Sequence, residues 1–183
     1  MAKAYSFGMI IGRFQTFHNG HRDMIDKAIA LCDSVGVFIG SSQEHGTEKN
    51  PFTYELREEL LSRIYGGRIL ICPLPDIGVG NNPHWGDHVI ETAVARFGKT
   101  PDLLISGKEE RRIDWFDSVK GLSVAELYVP KSTDISATEM RSFFVSGDRA
   151  EWEEYTPREL WGYYDRLRED VLASIGNVGT DSI

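Results

Sequence analysis

Five short apolar runs, set among segments with the period of a helix, leave this chain few architectures. The runs cover residues 5–11, 35–40, 68–74, 102–106 and 124–129. They are apolar at successive positions rather than at alternate ones, the pattern of strands covered on both faces in a parallel sheet. Between them the period changes. Met24, Ile25, Ala28, Ile29 and Cys32 recur at the spacing of one helix face. Thr53 opens a segment with Leu56, Leu60 and Ile64 on one face, and Val89, Ile90, Ala93, Val94 and Phe97 form a third stripe. After the fifth run the pattern is mostly helical from residue 136 to about 174. The expectation is a doubly wound α/β fold: a parallel five-stranded sheet, helices on both faces and a helical C-terminal segment. A single domain over residues 1–175 fits this pattern, with a loose polar tail over 176–183.

Charge narrows the partners. With 20 Lys and Arg against 28 Asp and Glu, the net charge is -8. A phosphate backbone or an anionic membrane selects a basic surface, so neither nucleic acid nor membrane is an expected partner. No run approaches the ~20 apolar residues that span a bilayer, and residues 1–7 are too short for a signal peptide. Cys32 and Cys72 stand alone in apolar surroundings, as reduced core thiols of a cytoplasmic protein do. An acidic chain can still hold a small polyphosphate, which needs only local cations and backbone N–H groups.

In doubly wound sheets, ligands bind beyond the carboxyl ends of the strands, near the reversal of strand order. The turn after the first run reads Gly12-Arg13-Phe14-Gln15-Thr16-Phe17-His18-Asn19-Gly20-His21. His18 and His21 are three residues apart, on one side of a helix start. Gly12 allows close approach of backbone to a ligand, and Gly20 removes a side chain between the imidazoles. A helix N-terminus attracts phosphate through free N–H groups and its dipole. Two surface histidines on an amphipathic helix would show the same spacing, so the surrounding turn carries the argument. After the fifth run comes Ile135-Ser136-Ala137-Thr138-Glu139-Met140-Arg141. Ser136 and Glu139 make a capping box. That helix start, the hydroxyls of Ser136 and Thr138 and the guanidinium of Arg141 form a second set of phosphate donors.

The pattern HxGH early and ISxTxxR late resembles the nucleotidyltransferase superfamily of adenylyltransferases. GRFQ before the histidines, Gly40-Ser41-Ser42-Gln43 and Lys49-Asn50-Pro51-Phe52-Thr53 are similar to the archaeal type of nicotinamide-mononucleotide adenylyltransferase, over about residues 7–160. The resemblance implies a Rossmann-like sheet and the reaction of ATP with nicotinamide mononucleotide to give NAD and pyrophosphate. It implies Mg2+ held by phosphates rather than by protein ligands. It also implies ATP-binding roles for Gly12, Phe14, Gly20, Gly107, Ser136 and Thr138, and catalytic roles for His18, His21, Arg13 and Arg141. Lys49, Asn50, Asp76, Asn82 and Trp85 would hold the mononucleotide, with Trp85 stacked on the nicotinamide ring. The polar segment 42–51 is expected to be a mobile loop that orders over substrate. Members of the family differ in oligomeric state, so a homo-oligomer is among the expectations. Three departures stand out. Thr16 replaces a usual proline. Lys49 stands where some relatives have the bidentate arginine. The segment between Asp76 and Asn82 is longer than usual.

Other readings fall on particular residues. Gly98-Lys99-Thr100 follows a helix-like stripe and has Ala93 where a phosphate-binding loop needs glycine. Gly78-Val79-Gly80 lacks a third glycine because Pro83 stands there. His84 and His88 have helical metal spacing but no third ligand nearby. Pantetheine-phosphate adenylyltransferases usually carry threonine in place of His18. A non-catalytic nucleotide-binding regulator would not need His18, His21, Ser136, Thr138 and Arg141 intact. A synthetase fragment would show a lysine-rich loop. Nicotinic acid mononucleotide stays open as an acceptor, since it differs from the amide by one charge.

Overall fold

The computed structural model describes residues 2–78, 83–107, 112–117, 119–130 and 134–176. Its sheet holds five parallel strands: β1 (Tyr5–Gly12), β2 (Cys32–Gly40), β3 (Leu70–Leu74), β4 (Leu103–Ser106) and β5 (Ala125–Tyr128), in the order β3-β2-β1-β4-β5. The helices are α1 (Asn19–Leu31), α2 (Tyr54–Tyr65), α3 (Trp85–Phe97), α4 (Ala137–Ser146), α5 (Arg149–Tyr155) and α6 (Tyr164–Gly176). Strand order grows outward from β1 in both directions, so the reversal lies between β1 and β4. Their register runs from Gly8 opposite Leu103 to Ile10 opposite Ile105.

Side chains alternate across each strand, and both sides of the inner strands are mostly apolar, while at the edge β5 carries Glu126 and exposes Tyr128. Phe7 and Met9 of β1, Phe38 of β2, and Cys72 and Leu74 of β3 join Val89 and Ala93 of α3 on one face. Ile10, Val35, Val37, Ile39, Leu103 and Ile105 face the other way, against Ile25 and Ala28 of α1 and Leu56, Leu60 and Leu61 of α2. Burying each such side chain stabilises the fold by ~1.5–3 kcal/mol. The sheet is thus doubly wound, and all five apolar runs are strands.

Two details differ from the apolar pattern. Cys32 begins β2 rather than closing the face of α1, and Asp33 and Ser34 lie inside the strand. Pairing of β1 with β2 already starts at Tyr5 and Cys32, so backbone hydrogen bonds extend the strand past its apolar stretch. Val94 is 48% exposed, which narrows the α3 stripe. Gly98 ends α3 in the left-handed region at φ 64, donating its N–H to the Val94 carbonyl. The Gly-Lys-Thr triplet therefore opens with a helix stop. Helix α6 includes Gly176, and residues 177–183 lie outside the described residues.

The C-terminal helices pack on the same face as α1 and α2, burying Met140, Phe144, Trp152, Leu160, Leu167 and Val171. They also hold the start of α1. Arg22 donates two bonds to the Glu159 carboxylate, at 3.1 and 3.2 Å, and Asn19 Nδ2 donates to the Glu154 carbonyl at 3.2 Å. Exposed pairs of this kind add little stability, but they set where α1 begins.

Candidate active site

The turn after β1 ends in a cap made of two histidines. His18 is the N-cap of α1, and its Nδ1 accepts from the Gly20 N–H at 3.1 Å. His21, three residues on, returns the bond: the His18 N–H donates to His21 Nδ1 at 3.4 Å. This is a capping box with imidazoles in place of hydroxyl and carboxylate. In the neutral rings, acceptance at Nδ1 leaves the proton, and so the donor, at Nε2 on both. The ring centroids lie 3.9 Å apart. His21 also packs against Phe14 and Phe17, at 4.9 and 5.5 Å. Burial there, and then the neighbouring His18, hold its pKa well below 6.5, so it is neutral at pH 7.

The glycines of the turn have separate reasons. A Cβ at Gly20 would lie 3.0 Å from His18 Cε1, so the ring folds over the space a side chain would fill. A Cβ at Gly12 would lie 3.1 Å from the Phe14 ring. The space a side chain at Gly12 would fill is thus taken by Phe14, a buried residue with φ 54. Gly107, just past β4, lies against α1: a Cβ there would be 2.7 Å from Met24 Sδ.

The second helix start meets the first. Ser136 and Glu139 form the expected box: the Glu139 N–H donates to Ser136 Oγ at 3.2 Å, while the Ser136 N–H and hydroxyl donate to Glu139 Oε2 at 2.8 and 2.6 Å. One turn on, Arg141 Nη1 donates to the Gln15 carbonyl at 2.7 Å, across 126 residues of sequence. Its Nη2 donates to Thr138 Oγ1 at 3.4 Å. Burial lowers the Arg141 pKa, nearby Arg13 lowers it further, and Glu48 opposes them. Arg13 Nη1 in turn donates to Oδ1 of buried Asn50 at 3.3 Å. Arg141 thus reaches the turn that leads to His18 and His21, and Arg13, beside Asn50, adds a second cation there.

Asp76 and Trp85 form a second group beyond β3. Gln43 Nε2 donates to Asp76 Oδ2 at 3.2 Å, and the Asp76 N–H donates to Gln43 Oε1 at 3.1 Å. Trp85 opens α3 and meets Trp115 edge-on at 6.1 Å. The helix comes this close because residue 86 is glycine: a Cβ there would overlap the Trp115 carbonyl oxygen. Asn82 lies outside the described residues. The segment 41–50 touches both groups, Asp76 through Gln43 and Arg13 through Asn50. It has neither helix nor strand, yet Thr47 and Asn50 exchange backbone N–H bonds at 3.2 and 3.0 Å. Lys49 is exposed within it. A separate groove of about 420 Å³ between β3 and α3 is lined by Ser42, His88, Thr92 and Arg96.

Two buried polar residues tie the site together. Gln15 is 3% exposed. Its Nε2 donates to the Phe52 carbonyl at 3.0 Å and its Oε1 accepts from the Phe52 N–H at 2.9 Å, joining the first turn to the approach to α2. Arg57 is fully buried in α2. The one signal for it is its place three and four residues before Leu60 and Leu61, where the stripe calls for an apolar side chain.

The cytidylyltransferase-like family pattern matches residues 9–82. The chain is 34% identical to the nicotinamide-nucleotide adenylyltransferase of Thermococcus kodakarensis, over 84% of this chain and 79% of that one. It is 29% identical to the enzyme of the same name from Saccharolobus solfataricus, over 96% and 99%. Among solved structures, a bifunctional NMN adenylyltransferase/ADP ribose pyrophosphatase from Francisella tularensis, complexed with AMP and a manganese ion, superposes with a TM-score of 0.76 at 22% identity. That match covers 95% of this chain and 54% of the other, so the chain spans about half the length of that protein. The shared fold is what this last likeness carries.

Proposed function

The chain belongs to the nicotinamide-nucleotide adenylyltransferase family, and from that membership we propose how its cleft joins the AMP part of ATP to nicotinamide mononucleotide, giving NAD and pyrophosphate. The observation that carries the reading is the bond from Arg141 to the Gln15 carbonyl, which draws the two helix starts together.

The phosphate of the mononucleotide attacks the α-phosphorus of ATP, a new P–O bond forms, and the bond to the pyrophosphate oxygen breaks. No protein nucleophile is needed, so catalysis is positioning and charge stabilisation. His18 and His21 donate from Nε2 to the ATP phosphates, with His21 nearest the α-phosphate. A neutral donor that needs no proton uptake suits this task at pH 7. Arg13 and Arg141 neutralise the reacting and leaving phosphates. Ser136 and Thr138 hold the triphosphate through backbone and hydroxyl donors. Phe14, Gly12, Gly20 and Gly107 shape the ATP pocket by packing, as described above. Lys49 and Asn50 take the acceptor phosphate, and Trp85, Asp76 and Asn82 take its ring and ribose.

A magnesium ion would arrive on the triphosphate, held by phosphate oxygens rather than by protein ligands, while Arg13 and Arg141 bind the phosphates and not the metal. Such an ion supplies neutralisation of the phosphate oxygens. Among the described residues no helix is long and apolar enough to cross a membrane, and Cys32 and Cys72 are buried free thiols. The two thiols support a cytoplasmic site of action.

Pyrophosphate release from ATP and Mg2+ tests the reading, with nicotinamide mononucleotide, nicotinic acid mononucleotide or no acceptor. Release and NAD formation with the amide are expected. No release with either acceptor points instead to a nucleotide-binding regulator. Faster turnover with the acid reassigns the acceptor. In the same assay Trp85→Ala raises KM for the mononucleotide and leaves KM for ATP unchanged; an unchanged mononucleotide KM misplaces the ring pocket.

A further inference from the structure

Helix α2 carries a guanidinium with no solvent access: Arg57 is 0% exposed. A charge at such a position is costly unless its donors are met, and here backbone carbonyls meet them. Nε donates to the Thr53 carbonyl at 3.1 Å. Nη1 donates to the carbonyls of Arg13 and Gly40, each at 2.9 Å. Nη2 donates to the Ser41 carbonyl at 3.2 Å. Three of these carbonyls belong to the turns that leave the adjacent strands β1 and β2. One side chain therefore sets the spacing of the two turns that border the cleft.

Burial pushes the Arg57 pKa down to about 10, Glu55 raises it, and the nearby Arg13 lowers it further. The residue still carries its charge at neutral pH, and Arg13 bears in the same way on Arg141. Three cations close together repel in the free protein, and a bound polyanion relieves the repulsion. An apolar side chain at position 57 would pack into the stripe beside Leu60 and Leu61 without that repulsion.

We infer that Arg57 is a positioning residue for the triphosphate: by holding the Arg13 and Gly40–Ser41 backbone it sets the Arg13 guanidinium beside Arg141, and it acts on ATP through Arg13. This rests on the reading of the cleft as a triphosphate site.

A double-mutant cycle tests it. Arg57→Lys and Arg57→Met are made in the natural sequence and in Arg13→Ala. The readouts are kcat/KM for ATP, ATP affinity by calorimetry, KM for the mononucleotide and melting temperature. A misplaced phosphate clamp costs on the order of 100-fold. Arg57→Lys is therefore expected to lower kcat/KM for ATP by ~30- to 100-fold, with a smaller change in the mononucleotide KM. In the Arg13→Ala background the further loss is expected to be less than about threefold, the non-additivity of residues that act in series. Equal fold-losses in both backgrounds, a loss that follows the unfolded fraction, or near-normal kcat/KM each overturn the assignment. So does failure of both variants to fold at any temperature, because the fold rather than the site would then require Arg57. If the natural chain releases no pyrophosphate with either acceptor, the adenylyltransferase reading falls, and the calorimetric cycle with ATP alone decides the case of Arg57.

Discussion

Gly20→Ala separates the chemistry of the histidine cap from its contribution to folding. Gly20 is the second residue of α1, with no positive φ to forbid a side chain. Alanine there favours the helix by ~0.5–1 kcal/mol over glycine. Against this, the new Cβ would lie 3.0 Å from His18 Cε1 and 3.1 Å from Nδ1, so the ring must give by a few tenths of an ångström. That movement weakens the bond from the Gly20 N–H to Nδ1, a capping interaction of ~1 kcal/mol. The two effects nearly cancel. In a chain of this size 1 kcal/mol moves the melting temperature by ~2–4 °C, so calorimetry should find it within about 4 °C of the natural protein. Turnover responds differently, because in the proposed mechanism the displaced imidazole donates to the reacting phosphates. With a 1 Å misplacement costing ~100-fold, a loss of about 10- to 100-fold in kcat is expected in steady-state NAD formation. Full turnover at an unchanged melting temperature would refute the claim that Gly20 places His18. A fall of more than about 10 °C would show that glycine is there for the fold.

The pKa of His21 is held well below 6.5 by burial and by His18. The unfolded chain therefore takes up this proton first, so the contribution to stability is full above about pH 6.5 and is lost as pH falls below it. Nitrogen chemical shifts are expected to show a neutral ring protonated at Nε2 at pH 6, and an imidazolium at that pH contradicts the assignment. Arg141→Ala removes a charge-assisted bond to the Gln15 carbonyl, a contribution of ~1.5–3 kcal/mol. The melting temperature should fall by roughly 3–10 °C, and turnover by ~100- to 1000-fold through loss of a transition-state donor. No change in either measurement would disconnect the two helix starts.

What could be read from the chain was local. Apolar runs at successive positions marked the parallel strands, because burial on both faces leaves that trace in any run. The pairs His18 with His21 and Ser136 with Glu139 were legible because a capping box is built within one helical turn. The extended start of β2 at Cys32 was not, since pairing with Tyr5 decided it rather than hydrophobicity. The Phe14 ring beside Gly12 is seen only in the folded chain. The ties that assemble the cleft are longer still: Arg141 to Gln15, Gln15 to Phe52, Gln43 to Asp76, and Arg57 to Arg13, Gly40 and Ser41. Most of them end on backbone carbonyls or N–H groups, which every residue carries and no sequence pattern distinguishes. Which carbonyl a guanidinium reaches depends on which strands lie side by side, and that is settled when the sheet forms.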